Sequence, residues 1–275
     1  ESFRLHSAIR GEIVEQIISR IVTRSSSTMS CIELLGSIVA SNTQSVVEFL
    51  PKIKETFDYV SFLELDVAEG LLVSVRELFR FSKAFQDHVI LVLRKAVFSR
   101  EVTARKIGIR GFFILLTSFQ ADGGGASSYS GADKDQLELL GFLRRASTQQ
   151  PEIRRLFYAG MTELFQNSVP LRGMILDILL VQLHRYYDGQ ALPPIRLSAC
   201  VERGPSGPRL IEPLPHLLAA IQQCIVSAPG MPMDTPSLIQ LKESLNSLIN
   251  RLPLTELEEF ELDKSSDFSN STAEG

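Results

Sequence analysis

The chain has 275 residues, of which 44% are hydrophobic and 22% are charged, and its formal net charge is −4. This length can bury one large core or two smaller ones, whereas the negative balance excludes a generally basic nucleic-acid-binding domain and confines any phosphate contact to a local patch. The three cysteines are widely spaced and form no CxxC pattern, which indicates a reducing compartment and argues against a disulfide framework or a zinc site.

The first part of the chain predicts short helices, each with one apolar stripe. SSST at 25–28 is typical of a turn that caps the next helix, and Pro51 either begins a new helix or kinks the preceding one. Asp66 with Glu69 three residues later has the spacing of a capping box, which predicts a helix start there. The predicted helical segments are 2–23, 29–40, 44–50 and 66–82.

Residues 86–119 predict a helical hairpin around which the chain is organised. At roughly 100° per residue, the first helix has a buried arc and an opposite, outward arc. The second helix begins near Glu101 and ends in the apolar run 111–116, so its far half is expected to be buried on most sides. The buried arc contains Val89, Ile90, Val92, Leu93, Ala96 and Val97, and the outward arc contains Asp87, His88, Leu91, Arg94 and Lys95.

Helices with one apolar stripe and short polar joints predict an all-α fold, an α-solenoid of HEAT-like antiparallel helix pairs. The glycine- and serine-rich segment 120–134 interrupts the pattern and favours a flexible linker, since no GxxxxGK[ST] spacing suggests a phosphate-binding loop. The predicted organisation is a solenoid segment over 1–121, a linker over 122–134 and a helical domain over 135–275.

The second half predicts further helices and one small β-hairpin. Residues 195–202 alternate between apolar and polar side chains, GPSGP follows as a turn, and 209–212 is the expected partner strand. The chain ends in an acidic and then serine-rich tail, whose last dozen residues are expected to be loose. The predicted helices are 135–147, 151–167, 170–187, 215–226 and 235–252.

Motifs for catalysis or metal binding are missing from the sequence. The four histidines lie far apart, and there is no HExxH, no GxSxG and no cysteine with a nearby histidine. We therefore expect a non-enzymatic protein with no catalytic residues, no metal and no cofactor. No apolar run approaches the roughly 18 to 20 residues of a membrane span, so no membrane association is expected. The chain begins inside a helical pattern, which suggests a piece of a longer protein.

The densest basic set of the chain lies in the hairpin. It permits two interpretations: a solvated helix face with cations at a helix C-terminus, each worth about 0.3–1 kcal/mol, or a local contact with phosphate or an acidic partner. Its members are Arg94, Lys95, Arg100, Arg105, Lys106 and Arg110.

Several stretches resemble the Fanconi anaemia group I family. ILVLRKAVF at 90–98, followed by ARK and GFFILL, resembles the segment that carries the monoubiquitinated lysine of that family. The other matching stretches fall in the family's order and span nearly the whole chain. They are ESFRLHSAIRGEIVEQIISRIVTRSSS at 1–27, FDYVSFL at 57–63, LPPIRLSAC at 192–200 and ELEEFELDKSSDFSNST at 256–272.

The resemblance implies a role and a set of partners. The family's modified lysine falls on Lys95, which would be the ubiquitin acceptor, with His88, Leu91 and Arg94 as interface candidates beside it. The implied partners are the paralogous Fanconi anaemia group D-two protein, a ubiquitin-conjugating enzyme with the Fanconi ubiquitin ligase, ubiquitin, and DNA, mostly through the rest of the full-length protein. The implied function is a non-enzymatic scaffold subunit of a DNA-clamping heterodimer in interstrand cross-link repair, in the nucleus.

One feature departs from the family pattern. Vertebrate members carry a cluster of Ser-Gln kinase sites after the solenoid, whereas no serine of the loop 120–134 precedes a glutamine here. The only Ser/Thr-Gln pairs are Thr43-Gln44 and Thr148-Gln149, which puts phosphorylation as a switch in doubt.

The alternative function is a generic helical-repeat adaptor or transport scaffold. A contact of Arg100, Arg105, Lys106 and Arg110 with DNA or an acidic partner is a further expectation.

Overall fold

The computed structural model describes residues 2–118, 129–204, 207–228, 230 and 235–260. Within these residues the regular secondary structure is helical apart from one two-stranded antiparallel sheet. The predicted all-α fold is therefore confirmed. The chain divides into two compact units, Glu1–Leu143 and Arg144–Gly275.

The first unit is helical where predicted, but the helices are divided differently. The predicted segments 2–23 and 66–82 are each divided in two, and 29–40 and 44–50 are joined in one helix that has non-helical backbone angles at Asn42. Pro51 lies in the first turn of a new helix, so of the two predicted roles for this proline it takes the first. The helices are α1 (Ser2–Leu5), α2 (Arg10–Val22), α3 (Thr28–Val46), α4 (Leu50–Phe57), α5 (Leu65–Ser74), α6 (Arg76–Phe81), α7 (Lys83–Val97), α8 (Val102–Ser118) and α9 (Tyr129–Arg144).

The helices of the first unit pack in two series. Helices α2, α4 and α7 contact one another in order, and α3, α5 and α8 do the same. Contacts of α2 with α3 and of α7 with α8 join the two series. This stacking of helices is the α-solenoid arrangement predicted from the sequence.

Helices α7 and α8 approach each other closely because glycines face α7. A Cβ atom at Gly108 would lie 2.9 Å from the Leu93 carbonyl oxygen and 2.8 Å from the Val97 backbone nitrogen. At Gly111 it would lie 2.5 Å from the Leu93 side chain. Any larger residue at Gly108 therefore requires the backbones of the two helices to separate.

Aromatic packing and a cap hold α7 in place. The Phe85 ring contacts Phe57 of α4 edge to face at 5.5 Å and stacks on Phe79 of α6 at 5.6 Å. The Ser82 side chain accepts a hydrogen bond from the Phe85 backbone N–H, which caps the helix. The orientation of α7 is therefore fixed by its neighbours in the first unit.

The capping box predicted at Asp66 and Glu69 is wrong. Helix α5 has Glu64 at its N-cap and no side-chain capping bond. The Glu69 carboxylate instead forms an ion pair with Arg110 of α8, with Nη2 and Oε1 2.7 Å apart. A half-buried cation within reach is a stronger partner for this carboxylate than an exposed backbone N–H of its own helix.

Helix α9 packs within the first unit. Its Phe142 ring stacks on Phe112 of α8 at 5.8 Å. The predicted linker falls mostly on 119–128, outside the described residues, and the six residues from Tyr129 are helical rather than linker. The predicted domain bounds 1–121 and 135–275 stay a prediction, and the loose tail at 261–275 also lies outside the described residues.

The second unit is a small helical bundle with the inset hairpin. Helix α11 contacts α10, α12 and α13, and α12 also contacts α10. The elements are α10 (Pro151–Asn167), α11 (Arg172–Leu183), β1 (Val201–Gly204), β2 (Gly207–Leu210), α12 (Leu214–Val226) and α13 (Pro236–Arg251).

The predicted hairpin exists, but both strands lie elsewhere than predicted: 201–204 instead of 195–202, and 207–210 instead of 209–212. Strand β1 pairs with β2 from Val201 opposite Leu210 to Gly204 opposite Gly207. Residues 197–200 form a 3-10 turn rather than a strand, because Ile211 and Glu212 donate their backbone N–H groups to the Cys200 carbonyl oxygen and end the ladder there.

Five side chains form a buried polar cluster in the second unit, composed of Arg154, Tyr158, Gln182, Tyr186 and Glu212. The Glu212 carboxylate, with no exposed area, accepts hydrogen bonds from Arg154 Nη1 at 2.6 Å, Gln182 Nε2 at 2.7 Å and Tyr158 Oη at 2.7 Å. Burial and the Glu212 charge raise the pKa of Tyr158 well above its ordinary range, so the phenol remains a donor. The cluster holds the segment after β2 against α10 and α11.

Candidate functional site

Helix α7 contacts α4, α6 and α8 of the first unit and presents one face to solvent. The predicted buried arc is buried except for Ile90, which is half-buried. Asp87, Leu91, Arg94 and Lys95 are exposed as predicted, and His88 is half-buried. The helical periodicity therefore placed this face correctly.

Lys95 differs from the other lysines whose side chains the structure describes. It is exposed, and within those residues it forms no ion pair or hydrogen bond. Lys83 is also exposed, but its Nζ lies 3.4 Å from Asp87 Oδ1. Lys52, Lys54, Lys106 and Lys242 are each half-buried. Among the lysines whose side chains the structure describes, Lys95 is thus the one that is both exposed and unpaired.

Apolar side chains flank Lys95 on both sides. Leu91, one turn before it on α7, is 49% exposed, and Phe98, the C-cap residue three positions after it, is 55% exposed. Positions three and four residues apart are neighbours on a helix surface, with Cβ atoms about 5–6 Å apart. The helical period predicted Leu91 on this surface but not Phe98, although the i+3 spacing of Phe98 from Lys95 was a usable signal. We call Leu91, Arg94, Lys95 and Phe98 the Lys95 surface.

Arg94 contacts an aromatic ring within the first unit. Its guanidinium lies over the Phe142 ring at 4.7 Å from the centroid, on the opposite helix α9. Such a contact is worth about 0.5–1 kcal/mol at an exposed site. Arg94 is exposed, but its position is set by Phe142 rather than by an acidic group.

His88 faces the loop after α4. Its Nε2 lies 3.2 Å from Asp58 Oδ1, but the two atoms form no hydrogen bond. The two side chains form an ion pair only when the imidazole is protonated. His88 lies one turn before Leu91, at the edge of the Lys95 surface.

The four residues predicted to contact DNA or an acidic partner differ in exposure and in ion pairing. Arg100 is exposed in the loop between α7 and α8, whereas Arg105 and Lys106 are half-buried. Arg110 donates from Nε and Nη2 to Glu69 Oε1 at 2.8 and 2.7 Å. Because Glu69 neutralises Arg110, Arg100 is the best placed of the four for contact with a phosphate.

Three features of the described residues bear on metal binding, membrane spanning and thiol reactivity. Among them, no group of three or more histidine, cysteine, aspartate or glutamate side chains has the arrangement of a metal site. No helix in the described ranges is long and apolar enough to cross a bilayer. The three thiols are buried, and burial raises the pKa of Cys200 to about 11 and that of Cys224 to about 12, which makes both poor nucleophiles.

Comparison with known proteins gives matches along the whole chain. The family model described as FANCI solenoid 2 matches residues 1–113, and the model described as FANCI helical domain 2 matches residues 115–275.

Two curated relatives align with all of this chain. The Fanconi anemia group I protein of Gallus gallus is 35% identical over 310 residues, and the Fanconi anemia group I protein homolog of Mus musculus is 35% identical over 308 residues. The chain spans 23% of the length of each relative. The predicted family is confirmed: the chain belongs to the Fanconi anaemia group I protein family.

Proposed function

We propose that this chain is part of a scaffold subunit of the Fanconi anaemia DNA-repair pathway, and that Lys95 is the residue to which ubiquitin is attached. Family membership supports the pathway. The exposure of Lys95 and its lack of an ionic partner among the described residues are the observations that carry the site.

The proposed chemistry requires only an accessible amine on this chain. The neutral Lys95 Nζ attacks the carbonyl carbon of a ubiquitin thioester. A C–N bond forms, the C–S bond breaks, the conjugating enzyme's cysteine leaves as thiolate, and the amine gives up a proton to solvent. No ion pair has to be broken first, whereas Lys83 would have to leave Asp87.

The proposed partners are those that the resemblance implies. We propose that the full-length protein pairs with its paralogue, the Fanconi anaemia group D-two protein, near Leu91–Lys95, and that the heterodimer closes on DNA in the nucleus when it is ubiquitinated. The rigid packing of α7 through Phe85 and Gly108 supports this proposal, because the amine is presented at a fixed place on the solenoid.

Contact of this chain alone with DNA is expected to be weak. The net charge is −4, and Arg110 is neutralised by Glu69. We expect the slope of log K against log salt concentration to correspond to at most about three phosphate contacts. A steeper slope would contradict this part of the proposal.

The acceptor assignment is tested by reconstituted conjugation. The full-length protein with its paralogue is treated with the conjugating enzyme, the Fanconi ligase and ubiquitin, as parent, Lys95→Arg and Lys83→Arg. We expect Lys95→Arg to lose the singly modified product and Lys83→Arg, an exposed lysine on the same helix, to retain it. Modification of Lys95→Arg at the parental rate would refute the assignment.

A further inference from the structure

Two apolar side chains flank Lys95 at the surface, Leu91 on α7 and Phe98 at the C-cap just after it. Leu91 and Phe98 are about half exposed, one turn before and one turn after the lysine. The nearest cation, Arg94, is held over the Phe142 ring. The described residues place no carboxylate in an ion pair with Lys95. The amine therefore lies between two half-exposed apolar side chains and is not paired with a carboxylate of the described residues.

The reach of a lysine limits what can contact it. The side chain is a four-carbon stem that ends in the amine, so Nζ extends only a short way beyond the helix surface. The side chains at i−4 and i+3 have their Cβ atoms about 5–6 Å from that of the lysine. An enzyme that brings a thioester to Nζ must therefore cover these two side chains while the bond forms.

Covering them also assists the chemistry. Only the neutral amine is a nucleophile, and burial in apolar surroundings favours the neutral form of a lysine. When Leu91 and Phe98 are covered together, water is removed from both sides of the amine. A polar pair at these positions would leave the ammonium better solvated.

From this geometry, and resting on the proposed function, we infer that Leu91 and Phe98 are positioning residues for ubiquitin transfer: both pack against the thioester-bearing conjugating enzyme and orient Lys95 Nζ towards the thioester. Side chains on an α-helix lean towards its N-terminus, so the amine lies closer to Leu91 than to Phe98. Leu91 therefore has the larger effect of the two.

The chain offers a matched control for each residue. Leu34 on α3 is 49% exposed, the same as Leu91, and Phe81 at the end of α6 is 53% exposed against 55% for Phe98. Neither control lies on α7. The replacements Leu34→Ala and Phe81→Ala remove similar exposed apolar area away from the amine.

The test measures kcat/KM for conjugation on the full-length protein in its heterodimer, at concentrations that keep the heterodimer saturated. We expect Leu91→Ala to lower kcat/KM about tenfold and Phe98→Ala less, because central apolar contacts of an interface typically contribute at this level. Leu91→Met, which keeps the apolar contact, and both control replacements are expected to stay within about twofold of the parent.

A second readout separates enzyme contact from a change in the amine itself. Labelling of Lys95 by a small, water-soluble succinimidyl ester needs no enzyme, so its rate is expected to be the same in parent and Leu91→Ala. Leu91→Gln, which keeps helix propensity and side-chain length, provides an independent variant and is expected to behave like Leu91→Ala.

Three results would overturn the inference. One is parental kcat/KM in Leu91→Ala, Leu91→Gln and Phe98→Ala. Another is equal slowing by the Leu34 and Phe81 controls. The third is weakened pairing with the paralogue while kcat/KM on saturated heterodimer is unchanged, which would assign the surface to the paralogue. If one of these results is found while Lys95→Arg loses the modification, the inference is wrong but Lys95 is still the acceptor. If Lys95→Arg is modified like the parent, the assignment of Lys95 as the acceptor is itself wrong.

Discussion

The Lys95 surface and the buried polar cluster use charged side chains in opposite ways. Arg154 is buried, and it donates hydrogen bonds to Glu212, Tyr186 and a backbone carbonyl. Lys95 is exposed and has no ionic partner among the described residues. A buried charge that lacked partners would destabilise the fold, whereas an exposed charge costs the fold little. The cluster is therefore explained by stability, and Lys95 is available for chemistry.

The largest expected effect comes from changing the Glu212 carboxylate, which accepts the hydrogen bonds of the buried polar cluster. Glu212→Gln leaves the Arg154 charge buried without its counter-charge, and breaking such a pair typically costs about 3–5 kcal/mol. We expect denaturant unfolding to show a loss of this size in the free energy of unfolding. The matched control is Glu243→Gln on α13, which is exposed and expected to change stability by less than about 0.5 kcal/mol. A loss below about 1 kcal/mol for Glu212→Gln would contradict the structural role of the cluster.

The second test concerns the support beneath the Lys95 surface. Gly108→Ala introduces a Cβ against the backbone of Leu93 and Val97, and overpacking of this kind typically costs about 1–3 kcal/mol. Gly141→Ala on α9 meets nothing within 4 Å, so it is expected to be neutral or slightly stabilising. Thermal unfolding measures the midpoint of each variant, and we expect a lower midpoint for Gly108→Ala than for Gly141→Ala. Equal midpoints would show that α7 and α8 can separate without cost.

A third test uses pH. Burial raises the pKa of Cys224 from 9.0 to about 12, so above about pH 9 the thiol ionises in the unfolded chain while it stays protonated in the native one. The unfolded state then binds fewer protons, and the free energy of unfolding falls as pH rises from 9 towards 12, by at most about 1.4 kcal/mol per unit.

Cys224→Val removes this contribution. Between about pH 9 and pH 10.5, stability of the parent should decline more steeply than that of the variant, as measured by urea unfolding. Parallel slopes would show that the thiol is not buried in the native state.

The smallest expected effect on stability is that of replacing Lys95. Lys95→Arg removes no ion pair within the described residues, so the free energy of unfolding should change by less than about 0.5 kcal/mol. Calorimetric or denaturant unfolding of parent and variant measures this difference. A loss above about 1 kcal/mol would indicate that Lys95 has a structural partner, and it would weaken the case for a free acceptor.

Local patterns in the sequence predicted most of the fold. The helical period of 3.6 residues placed Lys95 and Leu91 on the outward face of α7, and Pro151 marked the beginning of α10 at its first turn. These features depend on neighbours within a few residues. The resemblance around Lys95, rather than periodicity, identified the candidate acceptor.

Features that depend on distant contacts could not be read in the same way. The ion pair of Glu69 with Arg110 spans 41 residues and displaced the predicted capping box. The ring contact of Arg94 with Phe142 depends on how α9 packs. The buried pair of Arg154 and Glu212 joins residues 58 positions apart, and no spacing in the sequence indicates it.

The most direct measurement of the central claim is peptide mapping of the conjugated protein. Trypsin leaves a Gly-Gly remnant on the modified lysine and cannot cleave after it. Cleavage after Arg94 and Arg100 would therefore yield the peptide KAVFSR with the remnant on Lys95. We predict that mass spectrometry finds the remnant on this peptide. A remnant on Lys83 or another lysine, with unmodified Lys95, would contradict the account.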